Sequence, residues 1–186
     1  MTTILVEGSG DKRALPILVQ RDRGRCSVRC INMQGKSNMV RRNRGFEDTI
    51  RRQHALGERS FVVLMDGDVI FAPYNSVQEE QDDMPRRAEA LEQELGAPVR
   101  VCWSILEMES WLIGGIQPGS TYCGLERVGR IPANTETEPQ NPKAWLEGRL
   151  QDSYSPRVQE CLAKHIDLSE ARQRNHSMRI FLDSFL

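Results

Sequence analysis

Apolar positions along the chain follow two alternating periods. Thr3-Ile4-Leu5-Val6 is a short apolar run that ends at Glu7-Gly8 and reads as a buried strand. From 11 to about 20, Leu15, Leu18 and Val19 recur at helical spacing, and Pro16 is tolerable there only near the first turn. Residues 27–31 read as a second strand. A longer helix is predicted over about 37–56. At about 100° per residue, Met39, Phe46 and Ile50 share a narrow arc, with Arg41, Arg44, Arg51 and Arg52 opposite. Phe61-Val62-Val63-Leu64-Met65 is the strongest strand and runs straight into Asp66-Gly67-Asp68. After a loop with Pro73, Tyr74 and Asn75, the spacing of Met84, Ala88, Leu91 and Leu95 marks another helix, which Gly96 stops. Residues 99–103 form a fourth strand leading into Ile105-Leu106-Glu107-Met108-Glu109-Ser110-Trp111-Leu112.

Strands alternating with helices at this spacing predict an α/β fold: a Rossmann-like, mostly parallel sheet of about four strands with helices on both faces. Residues from about 114 to 141 are rich in Gly, Pro and Thr and read as loop. Short helical stretches follow near 143–150, 155–163 and 177–185, the last with Met178, Phe181, Leu182 and Phe185 on one side. The expected organisation is an α/β domain over 1–113, with 114–186 as a loop and C-terminal helical cap packed on the same domain.

At 186 residues the chain suffices for one domain with a sizeable core. No apolar stretch approaches the roughly 20 residues that cross a bilayer. Met1-Thr2-Thr3-Ile4 lacks the features of an export signal, so a cytoplasmic protein without membrane contact is expected. Five cysteines, an odd count with no CxxC pair, argue against a disulfide framework and a zinc ribbon. Cys26 and Cys102 adjoin apolar runs and read as small buried hydrophobes in a reducing compartment. Net charge is −1, so any attraction to nucleic acid must be local. Lys36, Arg41, Arg42, Arg44, Arg51, Arg52 and Arg59 concentrate positive charge, whereas 79–94 is acidic apart from Arg86 and Arg87. Oligomeric state is left open.

In open α/β sheets functional groups gather beyond the carboxyl ends of the strands. Here strand one ends in Glu7, strand three in Asp66 and Asp68, and strand four is soon followed by Glu107 and Glu109. In a parallel sheet these acids converge, and their mutual repulsion favours a hard cation such as Mg2+ or Mn2+. Each acid alone also fits a helix cap or a solvated turn, Glu107 and Glu109 most of all at a helix start. Gly35-Lys36-Ser37 looks like the tail of a P-loop, but Cys30-Ile31-Asn32-Met33-Gln34 lacks its earlier glycine, so ATP hydrolysis is not expected. Lys36 could still hold one nucleic-acid phosphate, and Ser37 fits equally well as a plain cap. Arg41, Arg44 and Arg51 suit contact with a nucleic-acid backbone, or simply a solvated face. Trp103, Trp111 and Trp145 read as packing anchors, His176 as a cap for the last helix, and His54 and His165 show no metal-ligand spacing.

Ile4-Leu5-Val6-Glu7-Gly8 followed by Val62-Val63-Leu64-Met65-Asp66-Gly67-Asp68 resembles the Toprim domain of topoisomerases, primases and OLD-type nucleases. Glu107-Met108-Glu109-Ser110-Trp111-Leu112, Gly35-Lys36-Ser37 and His176-Ser177-Met178-Arg179-Ile180-Phe181 are similar to a bacterial Toprim-like group, domain-of-unknown-function family 4276. The resemblance implies that Asp66 and Asp68 bind the catalytic divalent ion. Glu7 would be a ligand or the general acid/base, and Glu107 and Glu109 would support a second ion. Tyr74, Tyr122 and Tyr154 lack the context of a topoisomerase tyrosine, and primase zinc ligands are missing, so hydrolysis is favoured. The resulting expectation is a Mg2+- or Mn2+-dependent nuclease, a bacterial defence effector working with an ATPase partner. The alternative is a non-catalytic metal-binding module that docks on and regulates such an ATPase. A small-molecule phosphohydrolase is disfavoured, because those relatives carry DxD after the first strand and this chain carries it after the third.

Overall fold

Four apolar runs pair edge to edge, and their direction decides where every polar residue beyond them goes. The structure, a computed structural model, describes residues 1–24, 26–42, 44–67, 72–126 and 128–185. Strands β1 (Thr2–Val6), β2 (Val28–Asn32), β3 (Phe61–Asp66) and β4 (Val99–Ser104) lie in the order β2-β1-β3-β4, all parallel. Val6 stands opposite Asn32, Leu5 opposite Val63 and Asp66 opposite Ser104. The residues that follow each strand therefore emerge along one edge.

Each face of the sheet carries its own core. Ile4, Val6, Val62, Leu64 and Cys102 pack under α1 (Ser9–Arg23), α5 (Met108–Gly114) and the C-terminal helices. Leu5, Phe61, Val63 and Met65 pack under α2 (Lys36–Val40), α3 (Phe46–Ala55) and α4 (Val77–Leu95). Burial on both faces explains why β1 and β3 read as continuous apolar runs rather than alternating ones. Each such side chain contributes about 1.5–3 kcal/mol by leaving water. Helix α1 starts earlier than its apolar spacing indicates, so Pro16 lies well past the first turn. Its missing N–H is offset by the complete burial of Leu15, Leu18 and Val19.

The single helix expected over 37–56 is two. Helix α2 ends at Val40, Arg41 turns to extended backbone (ψ 122°), and α3 begins only at Phe46. Gly45 makes the turn possible, because a β-carbon there would lie 2.2 Å from the Met39 carbonyl and 2.5 Å from that of Arg41. Arg87 of α4 pins the break. Its guanidinium donates to the Val40 carbonyl (2.8 Å) and to Glu47 (2.6 Å), and it stacks 5.0 Å over Phe46. The predicted apolar stripe survives in space, with Met39, Phe46 and Ile50 all buried, but the arginines no longer share one helical face.

The chain after α5 packs back on the first core through α6 (Pro142–Glu147), α7 (Pro156–His165), α8 (Leu168–Arg174) and α9 (His176–Asp183). Helix α8 was not foreseen. The cap of α9 is Asn175, not His176: its buried side chain accepts from Met178 N (3.1 Å). The cysteine expectation needs correction too. Cys123 and Cys161 form a disulfide across 38 positions, leaving Cys26, Cys30 and Cys102 as thiols. A bond between residues so distant leaves no local mark in the sequence. Among the described residues no helix is long and apolar enough to cross a membrane.

Candidate metal and catalytic site

Beyond β1 the backbone turns at Glu7-Gly8 into α1, and Glu7 reaches across to the neighbouring strand, where its Oε1 accepts from Asp66 N (2.9 Å). The acids ending the first and third strands are thus adjacent. The Asp66 peptide is gripped on both sides, since Lys36 Nζ donates to its carbonyl (2.6 Å). Lys36 also pairs with Glu80 of α4 at 3.3 Å, and the two side chains are only 2% and 1% exposed. Lys36, expected at a phosphate, has its ammonium enclosed here, where it braces the end of β3. Gly67 closes the same strand end. Its N–H donates to the Ser104 carbonyl, and a β-carbon there would come within 2.5 Å of the Ile105 carbonyl, so glycine lets β3 and β4 end in close contact. Asp68 lies outside the described residues.

Glu107 and Glu109 enter from α5. Glu107 is its N-cap residue, and its Oε2 accepts from Lys143 N (3.3 Å) at the start of α6. Glu109 lies in the first turn, where the helix dipole favours an acid. Behind it a buried polar network fixes the helix. Asn175 donates to Ser110 Oγ (3.2 Å) and Thr135 Oγ1 (3.2 Å), and Trp111 Nε1 donates to Ser177 Oγ (2.9 Å). The motif around Ser110-Trp111 and that around Ser177-Met178 are therefore two halves of one brace. Asn175→Ala removes the α9 cap and strands several buried groups. It is expected to lower unfolding free energy by about 2–4 kcal/mol in a urea titration, with Ser177→Ala costing less.

Three further residues complete the cleft without any sequence motif to mark them. Asp11 in the first turn of α1 accepts from Gly8 N (3.1 Å) and from Gln159 Nε2 (3.0 Å) of α7. Gln159 is almost wholly buried, and a β-carbon on Gly10 would lie 1.6 Å from its Oε1, so Gly10 is what admits it. Tyr154, just before α7, faces Glu109, whose charge adds to the burial that raises the phenol pKa. Only the folded chain brings 11, 154 and 159 together. Glu7, Asp66, Glu107, Glu109 and Asp11, with Lys143, surround a cleft of about 330 Å³. A wider groove of about 750 Å³ over the outer edge of β4 lies toward the amino ends of the strands, away from these acids.

Burial, reinforced by Glu107 and Asp11, pushes the Glu109 carboxyl up to about 7, and burial also raises Asp11. Carboxyls that resist ionising in their own company make a donor set suited to a hard divalent cation, which neutralises them with oxygen ligands. Ser104 Oγ, fully buried on the strand end beside Asp66, has no hydrogen-bond partner among the described residues. The donor set fits Mg2+ or Mn2+, with one restriction. Among the described residues, the one trio of ligand atoms lying within 4.8 Å of one another is Cys123, Cys161 and His165, whose sulfurs are already joined. The acids stand further apart, so a cation there keeps several waters or draws the side chains inward.

Glu109 also makes a pH prediction. Above its ordinary value of 4.5 the unfolded chain has lost the proton that the folded carboxyl keeps until about 7. Stability of the metal-free protein should therefore fall as pH rises across that window, by about 3 kcal/mol at most. Asp11 acts in the same direction. Thermal melts from pH 5 to 8 check this. The midpoint should drop without divalent ion, and added Mg2+ should reverse most of the drop.

Arg41 and Arg44 are exposed on the loop between α2 and α3. Arg51 is engaged, donating through two nitrogens to Glu94 of α4 at 2.7 Å each. Compared with protein-family models, curated proteins and solved structures, the chain matches none.

Proposed function

We propose that the acidic cleft holds Mg2+ or Mn2+ and that the protein hydrolyses nucleic-acid phosphodiesters there, as a Toprim-like nuclease. One observation carries the reading: acids from β1, β3 and α5, far apart in sequence, line a single cleft at the carboxyl edge of a parallel sheet. Glu7, Asp66, Glu107 and Glu109 are the residues that would hold the ion, with Asp68 as a further ligand implied by the motif. Bound there, the cation would make water a nucleophile near neutral pH and offset charge on the phosphate oxygens. The chain's own groups supply the rest. Glu109, whose carboxyl burial lifts to about 7 in the metal-free protein, would give up that proton on taking the ion, so ion binding should strengthen as pH rises through neutrality. The start of α1 at Gly8-Ser9-Gly10 borders the cleft, where helix N–H groups suit a phosphate. Lys143 adds positive charge at the rim, and Arg41 and Arg44 are available to the strand beyond it.

The test is incubation of the protein with single- and double-stranded DNA and RNA, with Mg2+ or Mn2+ and with chelator, beside Asp66→Asn. Metal-dependent cleavage by the parent and none by the variant supports the proposal; equal cleavage by both overturns it. The second reading, a non-catalytic metal module docked on an ATPase, gains from one observation: Lys36 is enclosed in an internal pair with Glu80, which leaves one cation fewer for a nucleic acid. Saturable Mn2+ binding with no turnover on any of these substrates, with and without an ATPase partner, would favour it.

A further inference from the structure

The Cys123–Cys161 pair lies outside the acidic cleft but is joined to it by a short chain of contacts. Cys161 is on α7, two positions after Gln159, whose amide holds Asp11. Cys123 belongs to the 3-10 turn Tyr122–Gly124 and has a left-handed backbone (φ 60°) that residues with a β-carbon rarely adopt. That turn is bonded to the stretch leading toward Tyr154. Gln151 N donates to the Gly124 carbonyl (2.9 Å), Glu126 N to the Arg149 carbonyl (2.6 Å), and Leu125 bridges Leu150. Three residues after Gln151 comes Tyr154, beside Glu109.

His165 completes the group. Its Nδ1 lies 2.9 Å from the Cys161 carbonyl, so that nitrogen carries the hydrogen and donates, and it stands 3.8 Å from both sulfurs. The imidazole stacks on Tyr122 at 5.3 Å and is exposed, and both sulfur residues are partly exposed. Both sulfur-bearing residues lie partly open to solvent, as exchange through an attacking and a leaving thiolate requires.

We propose that Cys123 and Cys161 are a thiol–disulfide exchange site whose oxidation state sets how firmly residues 149–156, and Tyr154 with them, are held over the acidic cleft. The reaction partner is a small-molecule disulfide such as glutathione disulfide. The thiolate of Cys161 attacks one sulfur of that disulfide, forming a mixed disulfide and releasing one thiolate. Cys123, losing its proton to solvent, then attacks the Cys161 sulfur and expels the second. Two protein thiols are oxidised by two electrons, and one small disulfide is reduced to two thiols. In the oxidised form the left-handed turn at Cys123 is tied to α7. In the reduced form it is free to relax and to loosen its bonds to 149–151.

The link to the cleft rests on the acidic-cleft reading, and the experiment separates the two. The protein is equilibrated with glutathione disulfide or with a phosphine reductant, alongside Cys123→Ser. Alkylation mass shifts report the thiols, hydrogen exchange reports the amides of 124–126 and 149–154, and electron paramagnetic resonance reports Mn2+ binding. The expected result is two more alkylated thiols on reduction, exchange about ten-fold faster in both segments, and weaker Mn2+ binding. Cys123→Ser should behave as the reduced form under both conditions. Exchange that is the same in oxidised and reduced protein overturns the proposal. An exchange difference with unchanged Mn2+ binding overturns the link to the cleft. An exchange difference with no Mn2+ binding in either form supports the switch and counts against the acidic-cleft reading alone.

Discussion

Lys36→Met is expected to destabilise the fold by about 3–5 kcal/mol, the usual consequence of removing one partner from a buried ion pair. Lys36 and Glu80 are both almost completely shielded, so the variant leaves the Glu80 carboxylate enclosed without its ammonium. Burial already raises the Glu80 pKa, and the nearby Lys36 is what lowers it. Without Lys36 the carboxyl should take up a proton on folding, so the loss should be larger at pH 8 than at pH 5. The double variant Lys36→Met/Glu80→Leu should recover part of the loss, because an apolar pair of similar volume avoids desolvating two charges. A remainder of about 1–3 kcal/mol should persist, since the Asp66 carbonyl has still lost its Lys36 donor. Urea titrations of the three proteins at both pH values measure this. A single variant as stable as the parent would contradict the bracing role.

Asp66→Asn should leave the fold nearly intact while reducing metal-dependent cleavage by about a thousand-fold or more, equivalent to roughly 4 kcal/mol of barrier. The Glu7 and Lys36 contacts that hold this position use the backbone N–H and carbonyl of Asp66, which the amide variant keeps. The variant removes the negative charge of the side chain and keeps its shape. Thermal melting beside a cleavage time course separates the two effects. A collapse of stability would mean that the carboxylate serves the fold, and unchanged cleavage would mean that it serves neither ion nor reaction.

The sheet was legible because two of its strands are apolar on both sides, a pattern that Ile4-Leu5-Val6 and Phe61-Val62-Val63-Leu64-Met65 display without interruption. Glu7 and Asp66 were legible for a related reason, since a parallel sheet leaves the residues after its strands no other edge. The break at 41–45 was not. Met39, Phe46 and Ile50 keep helical phase across it, and what bends the chain is Arg87, distant in sequence. The Lys36–Glu80 pair was not legible, because a lysine at a helix start after a glycine has the same local pattern whether it faces a phosphate or a buried glutamate. Asp11, Gln159 and Tyr154 carried no signal at all, because α7 meets α1 only after the cap has folded back across the first core.

The account depends on Glu7, Asp66 and Glu109 serving one cation, and Mn2+ titration followed by electron paramagnetic resonance addresses that directly. Wild-type protein should bind Mn2+ saturably at pH 8 and more weakly at pH 6, where Glu109 retains its proton. Glu7→Gln, Asp66→Asn and Glu109→Gln should each weaken binding about ten-fold or more. Binding of equal strength in all four proteins would contradict a shared site.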